Sequence, residues 1–247
     1  SRDDFQTVTI TITGTDDGIV LANDVKTMTE NATGTARTGN VLHRVMENLP
    51  FELAAGVPDL AAFRADAAVA AIVRGAMAAE GLRELAARAE DELSYADQVA
   101  ELAYNALTTR LTAHATGSFR LCDVRDRLPE VEFHLPVPAE AHEADAGHRS
   151  TFVKGFIDLV FRVPSPALSG APVYFLLDWK TNHLWDGYGR ESLEQAMEHH
   201  SYGLQHWLYT LALQRWLAHR TGGKFDPQTQ WGGVFYLFVR GMRGGDS

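Results

Sequence analysis

The period of apolar and polar positions switches repeatedly along this chain between that of a strand and that of a helix. Residues 7–13 read TVTITIT, a strict β-branched alternation that predicts a strand, and the run from Gly14 to Gly18 supplies turn chemistry. Residues 23–39 are polar and rich in Thr, the signature of a loop or linker, so residues 1–37 form a strand-and-linker segment separate from the rest of the chain. From residue 38 the period becomes helical. Thr38 is the expected N-cap of a helix that runs to about Leu49 and stops at Pro50. Val41, Leu42, Val45, Met46 and Leu49 make its apolar face. Residues 58–115 are dominated by Ala, Leu, Arg and Glu at helical spacing, which predicts two or three helices with breaks near Gly81 and Ser94. Ser94, with Asp97 three residues on, is the expected cap of the last one.

The period then falls to two. Residues 130–137 (EVEFHLPV) alternate as a strand, 138–150 are polar and read as a loop, and 152–163 and 172–180 are two further strands. A Pro/Ser/Gly connector joins that last pair, so an antiparallel hairpin is expected. Residues 191–220 read as one long helix with Leu193, Met197, Leu204, Leu208 and Leu211 toward the core, ended by Gly222–Gly223. Residues 231–239 (WGGVFYLFV) read as a final buried strand. The pattern is α/β: a mixed central sheet flanked by helices 39–49 and 191–220, with 58–115 as an accessory helical layer. No internal repeat is present.

Composition narrows the function classes. With 45% apolar residues over 247 positions the chain can bury a core, which excludes wholesale disorder. Cys122 is the single cysteine, so an intrachain disulfide framework is impossible, in keeping with a reducing compartment. The apolar runs, among them 67–73, 173–177 and 234–239, are all far short of the roughly 18 residues that span a bilayer. No charged start followed by an apolar run opens the chain, and a cytoplasmic location without membrane association is expected. The net charge of −10 is uneven: residues 1–50 carry an excess of −3, residues 51–150 of −8, and residues 151–247 of +1. That balance argues against a basic DNA-coating protein but leaves room for a nucleic-acid enzyme built on the last third.

The last third holds the sharpest chemical signal, Leu176–Leu177–Asp178–Trp179–Lys180. Residues two apart on a strand share a face, so Asp178 and Lys180 lie together at the end of an apolar strand. Charges so close to a core require a partner or a metal. Asp158, in GFIDLVF, is supplied by the preceding strand, and a hairpin brings the two aspartates within chelating reach. Two carboxylates with a carbonyl and waters make a hard-oxygen site suited to Mg²⁺, with Lys180 beside it to orient a water or counter phosphate charge. The competing reading is a buried structural ion pair between Asp178 and Lys180. Gln205 and Tyr209 are four apart and share a helix face from which both can reach a phosphate or base. His43 on its apolar helix reads as a ligand or a surface residue, and Glu132 as a site acid or a solvent-facing strand residue. A phosphate-binding loop is absent, since Gly222–Gly223–Lys224–Phe225 has neither its spacing nor its Ser/Thr, so no ATP site is expected. Thiolate zinc, His-Glu-x-x-His and Gly-x-Ser-x-Gly patterns are absent as well.

Taken in order, TGNVLHRVMENLPF, VEFHLPV, KGFIDLVF, FLLDWKTNHL, YGLQHWLYTLALQRWLAHR and GGVFYLFVRGM resemble the PD-(D/E)xK nuclease superfamily, in the branch of the RecB-type nuclease domains of bacterial exonuclease V. The blocks cover residues 38–243 with gaps. The resemblance implies a restriction-endonuclease-like core over 38–247 and an Mg²⁺-dependent deoxyribonuclease, with Mn²⁺ as a substitute, acting in DNA end processing and recombinational repair. It implies His43, Asp158, Asp178 and the carbonyl of Trp179 as metal ligands and Lys180 as the catalytic lysine. Glu132 corresponds to a motif acid, and Gln205 and Tyr209 to a DNA-positioning Gln-x-x-x-Tyr element. Its implied partners are DNA, a helicase and further subunits. Ile157 stands where the superfamily name has proline, which is usual for this branch. Two rivals remain: the same fold kept as a non-catalytic DNA-binding or subunit-contact module, and a metal hydrolase of small phosphate esters.

Overall fold

A computed structural model of the chain describes residues 35–82, 93–136, 152–199 and 202–244. The expected strand at 7–13 and loop at 138–150 lie outside the described residues. Among the described residues five helices precede the first strand: α1 (Thr35–Asn48), α2 (Glu52–Gly56), α3 (Leu60–Ala65), α4 (Ala67–Ala79) and α5 (Tyr95–Thr108). A short hairpin comes next, β1 (Arg110–Ala113) and β2 (Gly117–Arg120). Then come β3 (Arg127–Pro136), β4 (Phe152–Pro164), β5 (Pro172–Lys180), α6 (Arg190–His199), α7 (Tyr202–Arg220), α8 (Pro227–Gln230) and β6 (Trp231–Phe238). The main sheet has the order β3-β4-β5-β6, antiparallel at the first two pairings and parallel at the third. The mixed sheet, the β4–β5 hairpin and the flanking helices are as the apolar pattern predicts.

Two apolar layers sandwich that sheet. On one face Val41, Leu42, Val45 and Met46 of α1 join Phe63, Val73 and Leu107 of the other early helices against Leu159, Phe161, Phe175 and Leu177. Phe161 stacks on Phe175 with ring centroids 5.2 Å apart, and Phe175 lies 5.5 Å from Phe235, so three strands share one aromatic seam. Phe119 of β2 closes the seam at 5.8 Å from both Phe161 and Phe175. On the other face Leu193, Leu213 and Leu217 of α6 and α7 pack on Val160, Leu176, Val234 and Tyr236.

Several boundaries differ from the sequence reading. Thr38 is no cap: α1 already starts at Thr35 and Thr38 is buried inside it. The helical run divides at Asp66, whose side chain accepts from the backbone N–H groups of Ala68 and Val69 and so starts α4 anew. Ser94 caps α5 as expected, accepting from Asp97 N–H at 3.1 Å. The helices stop at Thr108, and 110–120 is the β1–β2 hairpin rather than helix. Residues 191–220 carry two helices, α6 and α7, with residues 200 and 201 outside the described set. Leu204, expected in the core, is 67% exposed. The face of α7 that meets the sheet there carries Gln205 and Tyr209 instead. The helix ends as predicted at Gly222 and Gly223, both in the left-handed region.

Candidate metal centre

The site forms where β3, β4 and β5 meet the side of α1. Along β4 the two-residue alternation slips at Asp158: Ile157 and Val160 both face α6 and α7, whereas Leu159 and Phe161 face α1. The slip lies opposite Glu130. The β3–β4 ladder pairs Pro129 with Leu159 and Val131 with Ile157 but makes no pair between them. Glu130 there has φ 48°, one of only two non-glycine residues in the left-handed region among the described residues. That conformation costs about 1–2 kcal/mol in an L-residue and so needs a compensating interaction. It turns the Glu130 carboxylate toward Asp158 and His43. One ligand atom each from His43, Glu130 and Asp158 lies within 4.8 Å of the others. His43 Nδ1 is 3.4 Å from Asp158 Oδ1, and Asp158 Oδ2 accepts from Trp179 N–H at 2.7 Å. These groups line an open cleft of about 520 Å³ together with Gly39, Asn40 and Thr181.

On the α7 side of the same strand end, Asp178 and Lys180 are both buried and form an ion pair. Gln205 bridges them, its Nε2 donating to Asp178 Oδ1 at 2.7 Å and its Oε1 accepting from Lys180 Nζ at 3.2 Å. Lys180 Nζ also lies over the Tyr236 ring, 5.5 Å from its centroid. Tyr209, one turn along α7, hydrogen-bonds Gln205 and stands edge-on to Phe133 at 5.4 Å. The tip of the Phe133 ring lies against Gly155, its cross-strand partner. A β-carbon at 155 would sit 2.5 Å from the ring, so only glycine leaves room for this support.

Electrostatics tie the two halves together. Burial and then repulsion from Asp158 push the Asp178 carboxyl up to about 6, against the attraction of Lys180 and His43. Burial and Asp158 likewise raise the Glu130 pKa. Burial works against charge on His43, but its hydrogen bond to Asp158 and the nearby carboxylates outweigh burial and raise its pKa. Crowded carboxylates that repel one another around an open cleft are the donor set a divalent cation relieves. Carboxylates and one imidazole suit Mg²⁺ or Mn²⁺.

The structure thus brings His43, Asp158, Asp178, Trp179, Lys180, Gln205 and Tyr209 to one strand end, and it puts Glu132 elsewhere. Glu132 is exposed, ion-paired to Lys154 at 2.6 Å and to His134 at 3.0 Å. Glu130 is the acid the sequence reading missed. Its parity with Glu132 along the strand was the available signal; the left-handed backbone that selects it leaves no mark in residue type. Asp178 is not within the 4.8 Å group. Both its oxygens have partners, but each keeps a second lone pair for a cation.

The chain is similar to the RecB subunit of RecBCD enzymes. It is 37% identical over 140 residues to the Escherichia coli (strain K12) protein, covering 48% of this chain and 11% of that one. Against the Mycobacterium tuberculosis RecB it is 33% identical over 171 residues, covering 53% and 15%. Against the Haemophilus influenzae RecB it is 40% identical over 114 residues, covering 45% and 8%. The chain therefore spans between about a twelfth and a seventh of the curated relatives it matches. No family model matches it. Among the described residues no helix is long and apolar enough to cross a membrane.

Proposed function

We propose that this chain carries a metal-dependent nuclease site of the PD-(D/E)xK type, which hydrolyses DNA phosphodiester bonds in end processing and recombinational repair. The observation that carries the reading is the convergence of His43, Glu130 and Asp158 on one open cleft, with the buried Asp178–Lys180 pair directly behind it. The RecB likeness supports the same reading and makes a helicase and further subunits of a RecBCD-like complex the proposed partners.

His43, Asp158 and Asp178, with Glu130 and the carbonyl of Trp179, are the residues that would hold Mg²⁺ or Mn²⁺. A cation held there supplies Lewis acidity toward a phosphate oxygen and makes water a better nucleophile. The chain's own groups do the rest. Asp158 keeps His43 oriented through their contact, while Trp179 N–H fixes Asp158. Gln205 holds Asp178 and Lys180 in register, so the Lys180 ammonium stays at the strand end. There it orients the attacking water and offsets charge that develops on the phosphate as one water is consumed and one P–O bond breaks. Tyr209, braced by Phe133, stands next to Gln205 as a contact for the DNA strand.

Lys180→Ala separates this reading from the structural ion pair and from a non-catalytic module. Loss of one such electrostatic group costs about 10²–10³ in rate. Single-turnover cleavage of linear DNA is expected to fall by that factor, while calorimetric metal binding and DNA affinity at fixed salt change by less than about fivefold. Cleavage within a factor of a few of the parent contradicts a catalytic Lys180. A parent that binds DNA and never cuts it with any divalent metal favours the binding module.

A further inference from the structure

The loop 181–189 leaves the end of β5 directly after Lys180. Its root is pinned twice. Arg240 Nε donates to the Thr181 carbonyl at 2.8 Å, and the Tyr188 hydroxyl donates to the Asn182 carbonyl at 2.9 Å. Its tip is a tight turn in which Gly187 N–H donates to the Leu184 carbonyl at 3.2 Å. Gly187 has φ 84°, a conformation glycine adopts without strain. At that tip stands Trp185, 74% exposed, the most exposed large apolar side chain among the described residues. It is exposed yet held: the His183 ring meets it edge-on with centroids 4.3 Å apart. Thr181 at the loop root lines the cleft that contains His43, Glu130 and Asp158. Four residues of chain reach at most about 14 Å, so Trp185 stands within that distance of the cleft wall.

Resting on the nuclease reading, we propose that Trp185 is a stacking platform for an unpaired nucleobase of the strand that enters the cleft. The surroundings favour a base over an apolar protein surface. Leu184 packs inward against the α6–α7 layer. Tyr188 packs inward with it, and the remaining neighbours Asn182, His183, Asp186 and Gly187 are too polar or too small to form a continuous hydrophobic patch. A single braced indole is poor glue for a protein core but sufficient for a nucleobase, because every base presents a π-face. The pinned root and tight turn hold the indole in place before the strand arrives, which reduces the ordering cost of binding.

The test uses the full chain, Ca²⁺ in place of Mg²⁺ to limit cutting, single-stranded oligonucleotides and a blunt duplex. Base–aromatic stacking of typical strength corresponds to about 5- to 150-fold in affinity. Trp185→Ala is expected to weaken single-strand binding by a factor in that range, with duplex binding within about twofold of the parent. Trp185→Phe keeps a stacking ring and restores most of the single-strand affinity. The difference in tryptophan fluorescence between the parent and Trp185→Phe should quench on adding the single strand, a signal that a purely structural role does not produce. Equal single-strand affinity in the parent and Trp185→Ala overturns the stacking role while leaving the nuclease reading intact if the parent cuts DNA. A parent that neither binds nor cuts DNA sinks both.

Discussion

At the scale of single residues, Asp178 carries the clearest thermodynamic signature. Its carboxyl is pushed from an ordinary 3.8 to about 6, first by burial and then by Asp158. A carboxyl whose folded pKa lies above its unfolded one binds its proton more tightly in the folded state. Its ionisation therefore opposes folding, and stability falls as pH rises from about 4 to about 6. Asp178→Asn does not titrate. In chelator the stability of the Asn variant relative to the parent should rise between about pH 4 and pH 7, by up to about 3 kcal/mol. Urea unfolding at several pH values measures this, and a gap that moves the other way contradicts the proposed crowding. Glu130 and Glu132 give a second test at the same scale. Glu130→Gln is expected to lower metal affinity at least about tenfold and to slow cleavage with it. Glu132→Gln, on an exposed ion pair, should leave both within about a factor of two. Equal effects from the two variants contradict the placement of Glu130 at the centre.

The same pair marks what was legible. Asp178 and Lys180 could be read from sequence because strand geometry alone puts residues two apart on one face. Choosing between Glu130 and Glu132 could not be done this way, since both share a parity and the choice depends on a left-handed backbone at a non-glycine residue.

At the scale of elements, the strands of the main sheet were legible because their burial writes a period of two, or an unbroken apolar run, into the chain. The β1–β2 hairpin was not. Its strands are four residues each, and the sequence around them continues the polar and Ala-rich texture of the helices. The burial of Leu111 and the packing of Phe119 on the aromatic seam show why the chain turns there. Leu204 was misread for a related reason. A helix whose apolar and polar residues are spread around its circumference gives no single inward face, and at its start α7 presents Gln205 and Tyr209 to the sheet because Asp178 and Lys180 need polar partners. The support beneath Tyr209 predicts that Gly155→Ala destabilises the protein. The added carbon would meet the Phe133 ring, and forced repacking of this kind typically costs about 1–3 kcal/mol. Chemical denaturation reads the loss, and an unchanged midpoint contradicts the tight packing of Phe133 on β4.

At the scale of the whole molecule, the sheet separates two apolar layers, and the cleft opens beside α1 at the sheet end that carries Glu130, Asp158 and Thr181. The net charge of −10 means that the chain as a whole repels DNA, so attraction has to be local to that end, and a bound cation adds to it. Function at that end therefore depends on the metal. The most direct measurement is cleavage of labelled linear DNA by the purified chain in Mg²⁺, in Mn²⁺, in Ca²⁺ and in excess chelator. Cleavage is expected with Mg²⁺ or Mn²⁺, little with the larger Ca²⁺ and its looser ligand geometry, and none in chelator. Undiminished cleavage in excess chelator would contradict that dependence.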